Sequence, residues 1–434
     1  MASDQPGPSY GHSILIVGAG VFGLSTTLSL LRRTSQSPSN AINSTTSPLK
    51  SLPKPQIIVL DASHILPNPS GSSVDSSRII RPDYPRLPYC RLATEAQVLW
   101  RDQSDDGWGG QGRYTESGLV STADREDDDD TDVEGIRGRQ CVKKALNNVR
   151  TLVANGMIGA DDLIELDASE DITRVTGHTN GKALGRTGYL NRSSGWADAE
   201  ASVKYALETI RKEDTEGRVQ IMNGKRVRSL IFSNDFDGKL AERRCTGVEL
   251  KNGKQLYASL VVLATGAWTP SIIDLEGRAV ATGQILAYLE LTPQEQRRLE
   301  DKPVFLNWSR GMFIIPPRNQ ELKIARHAFG YRNPKLMSRP GLPSDRSLGE
   351  EEKVEISTPE AGHPVPPEGQ KACRDMLQDL FADSDLAARP FSRTRICWYC
   401  DTYEPISHPH LHLDPDPLHK PPLSLSLKPV LHPS

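Results

Sequence analysis

The chain has 434 residues, a quarter of them charged, and a formal net charge of −3. That length suits two domains rather than one small core, and the charge argues against a nucleic-acid binder, which would show a basic face, while leaving a small anionic substrate open. Mean hydropathy is negative, and the longest apolar runs, such as Ser13–Val17 and Ser259–Ala264, fall far short of the ~20 residues that span a bilayer.

Met1–His12 is polar and contains Pro and Gly, without the charged and apolar regions of a signal peptide. Ser13-Ile-Leu-Ile-Val17 is a short continuous apolar run, the pattern of a buried parallel strand. Gly18-Ala-Gly-Val-Phe-Gly23 follows at once, and Leu24–Arg33 reads as a helix. Thr34–Gln56, rich in Ser, Pro, Asn and Thr, reads as a flexible loop. A second strand, Ile57–Asp61, ends in an acid.

Arg86–Arg101 has helical periodicity, and the acidic run Asp127–Asp130 reads as a solvated loop. Trp196–Arg211 is read as a helix with Asp198 near its start and Arg211 and Lys212 at its end, each complementing the dipole. Leu260–Gly266 is a third buried strand ending in a glycine turn, and 335–370, rich in Pro, Ser and Glu, reads as a loop-like insertion. Tyr403–Ser434 carries eight prolines and five of the ten histidines with no period of 2 or 3.6, so disorder is expected there. Six cysteines in a chain this long form no disulfide framework, and a reducing, cytoplasmic setting is expected; the terminal His-Pro-Ser is unlike the peroxisomal address.

Each glycine of Gly18-x-Gly20-x-x-Gly23 has a physical task. The first permits a tight turn, the second lets a pyrophosphate approach the backbone, and the third lets helix and strand pack closely. The helix start that follows offers free N–H groups to phosphates. Asp61 is placed to accept hydrogen bonds from an adenosine ribose, delayed in sequence by the Thr34–Gln56 insertion. A glycine turn in some other βαβ unit is the alternative. No second glycine-rich fingerprint for a nicotinamide exists, so FAD is favoured, with oxygen as the final acceptor.

Six stretches give the chain a resemblance to a known family: Ile14–Leu24, Gly71-Ser-Ser-Val-Asp-Ser-Ser-Arg-Ile-Ile-Arg81, Gly195–Ala199, Val262–Trp268, Glu321-Leu-Lys-Ile-Ala-Arg-His327 and Arg395-Ile-Cys-Trp-Tyr-Cys-Asp401. They resemble the monomeric sarcosine oxidase family of FAD-dependent amine oxidases, especially its fungal fructosyl amino acid, saccharopine and pipecolate oxidases. The resemblance implies an α/β fold, in which a Rossmann-type FAD-binding domain is interleaved with an α+β substrate domain built on an antiparallel sheet. It divides the chain into FAD-binding segments 12–115 and 190–282, substrate segments 116–189 and 283–394, the start of a C-terminal FAD-binding segment at 395–402, and an atypical tail, 403–434.

For the cofactor, the resemblance implies contacts from Gly18, Gly20, Val21, Phe22, Gly23, Asp61, Ser77, Arg78, Thr265 and Gly266. It sets Arg78 by the flavin and Arg81 near a substrate carboxylate, which a planar guanidinium holds well; a pair of surface arginines is the bland alternative. In Leu322–His327 the strand period puts Lys323, Ala325 and His327 on one face. The resemblance makes Lys323 the residue that assists oxygen reduction and His327 a substrate-pocket residue, leaning toward simpler secondary amines; a snorkelling lysine and a backbone-bonded histidine remain open. Cys397 is the position of a covalent flavin link in this family; with Cys400 it also has the spacing of a redox pair, and a plain buried thiol is the third reading. A four-cysteine zinc site would need a second pair, which the sequence lacks.

The implied activity is oxidation of the C–N bond of a secondary amine or amino acid to an imine with release of hydrogen peroxide, by a monomer. Two alternatives stand beside it: a tailoring oxidase of an amine-bearing natural-product intermediate, and a truncated, non-catalytic flavoprotein remnant. The second arises because the family continues past Asp-Thr with a Gly-x-x-Gly-His-Gly-Phe-Lys turn that has no counterpart in 403–434, a change that reads as a shifted frame, a retained intron or a truncation. His408, His410 and His412 in that tail read as incidental.

Overall fold

The computed structural model describes residues 12–35, 54–124, 133–177, 185–233, 244–341, 353–382 and 384–402. The expectations for the acidic run, for most of the Thr34–Gln56 loop and for the 403–434 tail lie outside these residues.

One four-stranded sheet is parallel, in the order Leu260–Leu263, Ser13–Val17, Gln56–Leu60, Val219–Met222. Its two central strands are apolar apart from Ser13 and Gln56 because both faces are covered. The edge strand Leu260–Leu263, expected to be buried, is instead exposed at Leu260 and half-buried beyond it, because only one neighbour pairs with it. Ile16, Ile57 and Val59 pack on one side against the helices Val21–Ser35 and Ala199–Glu213, through Leu24, Leu28, Val203, Leu207 and Ile210. Leu15, Val17 and Leu60 point the other way, onto Val248 and Leu250 of a three-stranded antiparallel sheet. The second helix begins at Ala199, not Trp196: Asp198 is its N-cap, its side chain accepting from the Ala201 N–H at 2.9 Å. Trp196 instead lies in the strand Gly195–Ala197, paired with Arg78–Ile80 and Tyr114–Thr115.

A larger, eight-stranded sheet draws strands from both halves of the chain, in the order Arg393–Thr402, Ala279–Glu290, Glu321–Tyr331, Met312–Arg318, Val304–Asn307, Leu119–Ala123, Thr187–Asn191, Leu163–Leu166. Its pairings are antiparallel except between Val304–Asn307 and Leu119–Ala123, which run parallel. One face carries Ile285, Ala287, Leu289, Ile314 and Ile324 beneath the helix Pro367–Leu380. The other carries Leu286, Tyr288, Phe313, Ile315, Ala325 and Cys397, packed with Trp196 and Trp308.

Residues 335–370 are not a plain loop. They hold most of an antiparallel hairpin, Pro334–Ser338 with Lys353–Ser357, and the start of the helix at Pro367. The averaged composition hid a local alternation in which Val354 and Ile356 are half-buried between exposed Lys353 and Glu355. The Arg393–Thr402 strand pairs along its length with Ala279–Glu290, at the edge of the larger sheet. Among the described residues no helix is long and apolar enough to cross a membrane.

Candidate active site

The glycine loop is shaped by close approach. Gly18 has φ +108°, and a Cβ there would lie 2.3 Å from the carbonyl oxygen of Ala264; a Cβ on Gly23 would lie 1.8 Å from that of Gly18. Neither position can take a side chain. Gly20 is different, since its Cβ would meet only the Ser73 side chain, at 3.0 Å, leaving its outer side open. Gly266, after Thr265, has φ +51° with nothing within 4 Å of a Cβ. Val21 and Phe22, at the helix start, are exposed. Asp61 is buried and accepts from the Ala19 N–H at 2.9 Å, from the Ser63 N–H at 2.8 Å and from Asn68 Nδ2 at 3.0 Å. It therefore clamps the loop, in addition to any ribose it holds.

A cavity of about 290 Å³ lies where the half-buried strand Arg78–Ile80 meets the larger sheet. Arg78, Arg81, Lys323 and His327 all line it, with Tyr84, Trp308, Phe313 and Tyr399. Strand register explains the gathering. Lys323 stands opposite Tyr288 on one side and Ile315 on the other, so the lysine and His327 share one face of the sheet, the face from which Lys323 reaches Asp75 and Ser77. A wider surface depression around Lys371, Arg374 and Arg393 holds none of the residues singled out from sequence.

Arg81 stacks its guanidinium on Tyr84, 4.4 Å from the ring centre, and on Trp308 at 5.0 Å. Its Nη1 is buried without a hydrogen-bond partner among the described residues. An unpaired buried donor is costly unless a ligand satisfies it. Two residues on, the buried Asp83 accepts from Ser194 Oγ at 2.6 Å and Asn191 Nδ2 at 3.1 Å, anchoring the turn; burial pushes its carboxyl up.

Lys323 is 1% exposed and donates to Asp75 Oδ2 at 2.7 Å and to the Ser77 carbonyl at 2.6 Å. Burial and the neighbouring Arg78 push its ammonium down to about 7, against the pull of Asp75. Burial alone would raise Asp75, but Lys323 and Arg78 override it and hold the carboxyl far below the usual range. Arg78 donates to the Ser72 carbonyl, to Asp75 and, at 3.1 Å, to Cys397 Sγ. Tyr399 sits 5.4 Å from the His327 ring and is pushed up to about 12, mainly by burial.

Cys397 is fully buried and Cys400 is three residues along the same strand. Three strand residues span ~10 Å and end on opposite faces, beyond the ~7 Å reach of a disulfide, so the redox-pair reading is excluded. Sequence reasoning missed Asp75, Tyr84, Tyr288 and Trp308. Asp75 lay inside a quoted motif, but nothing local marked it among serines; the others show only once the strands are in register.

The match that decides the family covers nearly all of these elements, residues 13–422. The chain belongs to the FAD dependent oxidoreductase family. The match extends past Thr402, where the recognisable motifs stop. Amino acid oxidase imqH of Aspergillus flavus is 30% identical over 90% of this chain and 84% of that protein. The L-saccharopine oxidase of Schizosaccharomyces pombe is 26% identical over 90% of this chain and 80% of its own length. Among solved structures, a thermally stable mutant of fructosyl peptide oxidase superposes with a TM-score of 0.69 at 21% identity, covering 91% of this chain and 81% of the other. Amadoriase II of Aspergillus fumigatus gives 0.64 at 24%, covering 90% and 76%; at such identities the structures speak for the fold alone. FAD is the family's cofactor, and the open side of Gly20, the empty space above Gly266 and the close-packed Gly18 and Gly23 are the cradle a dinucleotide requires.

Proposed function

We propose that this FAD-dependent oxidoreductase oxidises the C–N bond of a secondary amine or amino acid to an imine, with oxygen as acceptor and hydrogen peroxide as product. One observation carries the reading: a buried, unpaired Arg81 donor and a buried Lys323 ammonium face one small cavity. The names of the amino acid and saccharopine oxidases that resemble it point the same way.

Gly18, Gly20, Val21, Phe22, Gly23, Asp61, Ser77, Arg78, Thr265 and Gly266 are the residues that hold the cofactor in this reading, with Cys397 as a covalent link. When bound, FAD supplies the two-electron acceptor for a hydride equivalent from the carbon beside nitrogen and passes the electrons to oxygen. Arg81 holds the substrate carboxylate, its plane set by Tyr84 and Trp308. Ile79, Leu306, Phe313 and Ile315 exclude water from the substrate's body, and no acidic side chain among the described residues lines the cavity to hold a second cation. His327 and Tyr399 border the amine. The Lys323 ammonium stabilises negative charge developing on oxygen. Water then hydrolyses the released imine. The enzyme is taken to act as a cytoplasmic monomer, its FAD-binding segments 12–115 and 190–282 alternating with the substrate segments.

The test is peroxide release by FAD-loaded protein offered sarcosine, pipecolate, saccharopine and fructosyl amino acids, each beside its decarboxylated analogue. Turnover of at least one acid, with the analogue much poorer, is expected. Flavin-loaded protein that yields no peroxide with any of them overturns the reading, and equal turnover of the analogues removes Arg81 from its role. Flavin that remains with acid-precipitated protein supports the Cys397 link; complete release refutes it.

A further inference from the structure

Asp75 lies in the loop that joins the second parallel strand to Arg78–Ile80, with its side chain fully buried. Both of its oxygens are shared between separate parts of the molecule. Oδ2 accepts from Lys323 Nζ and from Arg78 Nη1, each at 2.7 Å. Oδ1 accepts from the Tyr288 hydroxyl at 2.7 Å and from the Ser76 N–H at 2.8 Å. Tyr288 and Lys323 are cross-strand neighbours on the larger sheet, so one anion from the cofactor side grips two adjacent strands of the substrate side.

An ammonium has three donors. Lys323 spends one on Asp75 and one on the Ser77 carbonyl, which leaves the third for the cavity it lines. We propose that Asp75 is the positioning residue of this site: it keeps Lys323 cationic beside Arg78 and turns the lysine's remaining N–H toward the cavity. The inference rests on the oxidase reading only for what the aimed charge is used for. The charged and titratable groups around Lys323 are Asp75, Arg78, Tyr288 and Cys397, with Tyr84, Tyr399, His327 and Arg81 further round the cavity. Asp75 is the one anion in that set. Without it, two cations would share a buried space, and a lysine already depressed by burial would lose its proton at lower pH still.

The variants are Asp75→Asn, Asp75→Glu and Tyr288→Phe in FAD-loaded protein. The first readout is competitive acylation of lysines across a pH series, with mass spectrometry of the Lys323 peptide. The Lys323 midpoint is expected to fall by ~1 pH unit or more in D75N, to recover in D75E, and to stay near wild type in Y288F. An unchanged midpoint in folded D75N overturns the proposal. The second readout is the pH profile of reoxidation of the reduced protein by oxygen, whose alkaline limb moves to lower pH in D75N by the same amount, ~10-fold in rate on that limb. A shifted lysine midpoint with an unshifted reoxidation profile supports Asp75 as the positioning residue and defeats the oxygen role of Lys323 instead. Should D75N fail to fold, D75N/K323M decides: restored folding supports the charge-pair account, and continued failure overturns it.

Discussion

Lys323 and Arg81 are both cations at one cavity, but their surroundings give them different work. Lys323 is bound on two sides by Asp75 and Ser77, so its position is set and its charge is available to a small, transient anion. Lys323→Met is expected to slow reoxidation by oxygen ~10²–10³-fold, the loss typical of one preorganised charge-stabilising group, with reduction by substrate nearly unchanged; rapid mixing of the two half-reactions separately measures both. Arg81 has an unpaired donor and two aromatic supports, the arrangement for a resident carboxylate. Arg81→Ala should raise KM for a carboxylate-bearing amine by roughly 10- to 100-fold, the worth of about 1.5–3 kcal/mol for bonds to a charged group. A decarboxylated analogue should show little change in the same steady-state assay.

The elements behind these side chains fail in different ways when altered. Gly23 touches backbone, and a Cβ 1.8 Å from the Gly18 oxygen forces helix and strand apart. Gly20 faces open space apart from Ser73. Gly23→Ala is therefore expected to lower the melting temperature and the flavin content together, whereas Gly20→Ala should leave the melting temperature of flavin-free protein close to wild type and weaken FAD binding. Equal effects of the two on the flavin-free melt would contradict this division of labour. The Arg393–Thr402 strand shows the same principle in another form. Its alternation puts Arg395, Cys397 and Tyr399 on one face, and pairing with Ala279–Glu290 turns that face to Arg78 and the 71–74 backbone.

Across the whole molecule a buried ion pair joins the Asp75 loop to the larger sheet through Lys323, and this couples stability to pH. Asp75 has a depressed carboxyl in the folded state, so it stabilises the fold above the ordinary carboxylate range, and that contribution is lost as pH falls below it. Lys323 works in the opposite window. Its folded value is near 7 against an ordinary 10.5, so between these limits the unfolded chain binds a proton that the folded chain does not, and stability from this residue rises with pH. Melting temperatures from pH 3 to 10 should show a flatter acid limb in Asp75→Asn and a smaller gain above pH 7 in Lys323→Met than in wild type. Parallel curves for all three proteins would rule this coupling out.

Much of this was readable along the chain because it depends on neighbours in sequence. The apolar runs at Ser13–Val17 and Leu260–Leu263, the glycines between strand and helix, and the period-2 face of Lys323 and His327 are local patterns that survive in any context, and with the six family stretches they led to the fold class, the FAD cofactor and the oxidoreductase chemistry. Local averaging failed where composition masked alternation, as in the 334–357 hairpin, and where a helix signal ran back into a strand at Trp196. Tertiary structure alone decided that Asp75 stands between Lys323, Arg78 and Tyr288, that Tyr84 and Trp308 sandwich Arg81, and that Cys397 meets Arg78 rather than Cys400. Those partners lie up to 319 residues apart. Only burial in a shared, low-dielectric space turns an aspartate in a serine-rich loop into the counter-charge of the site.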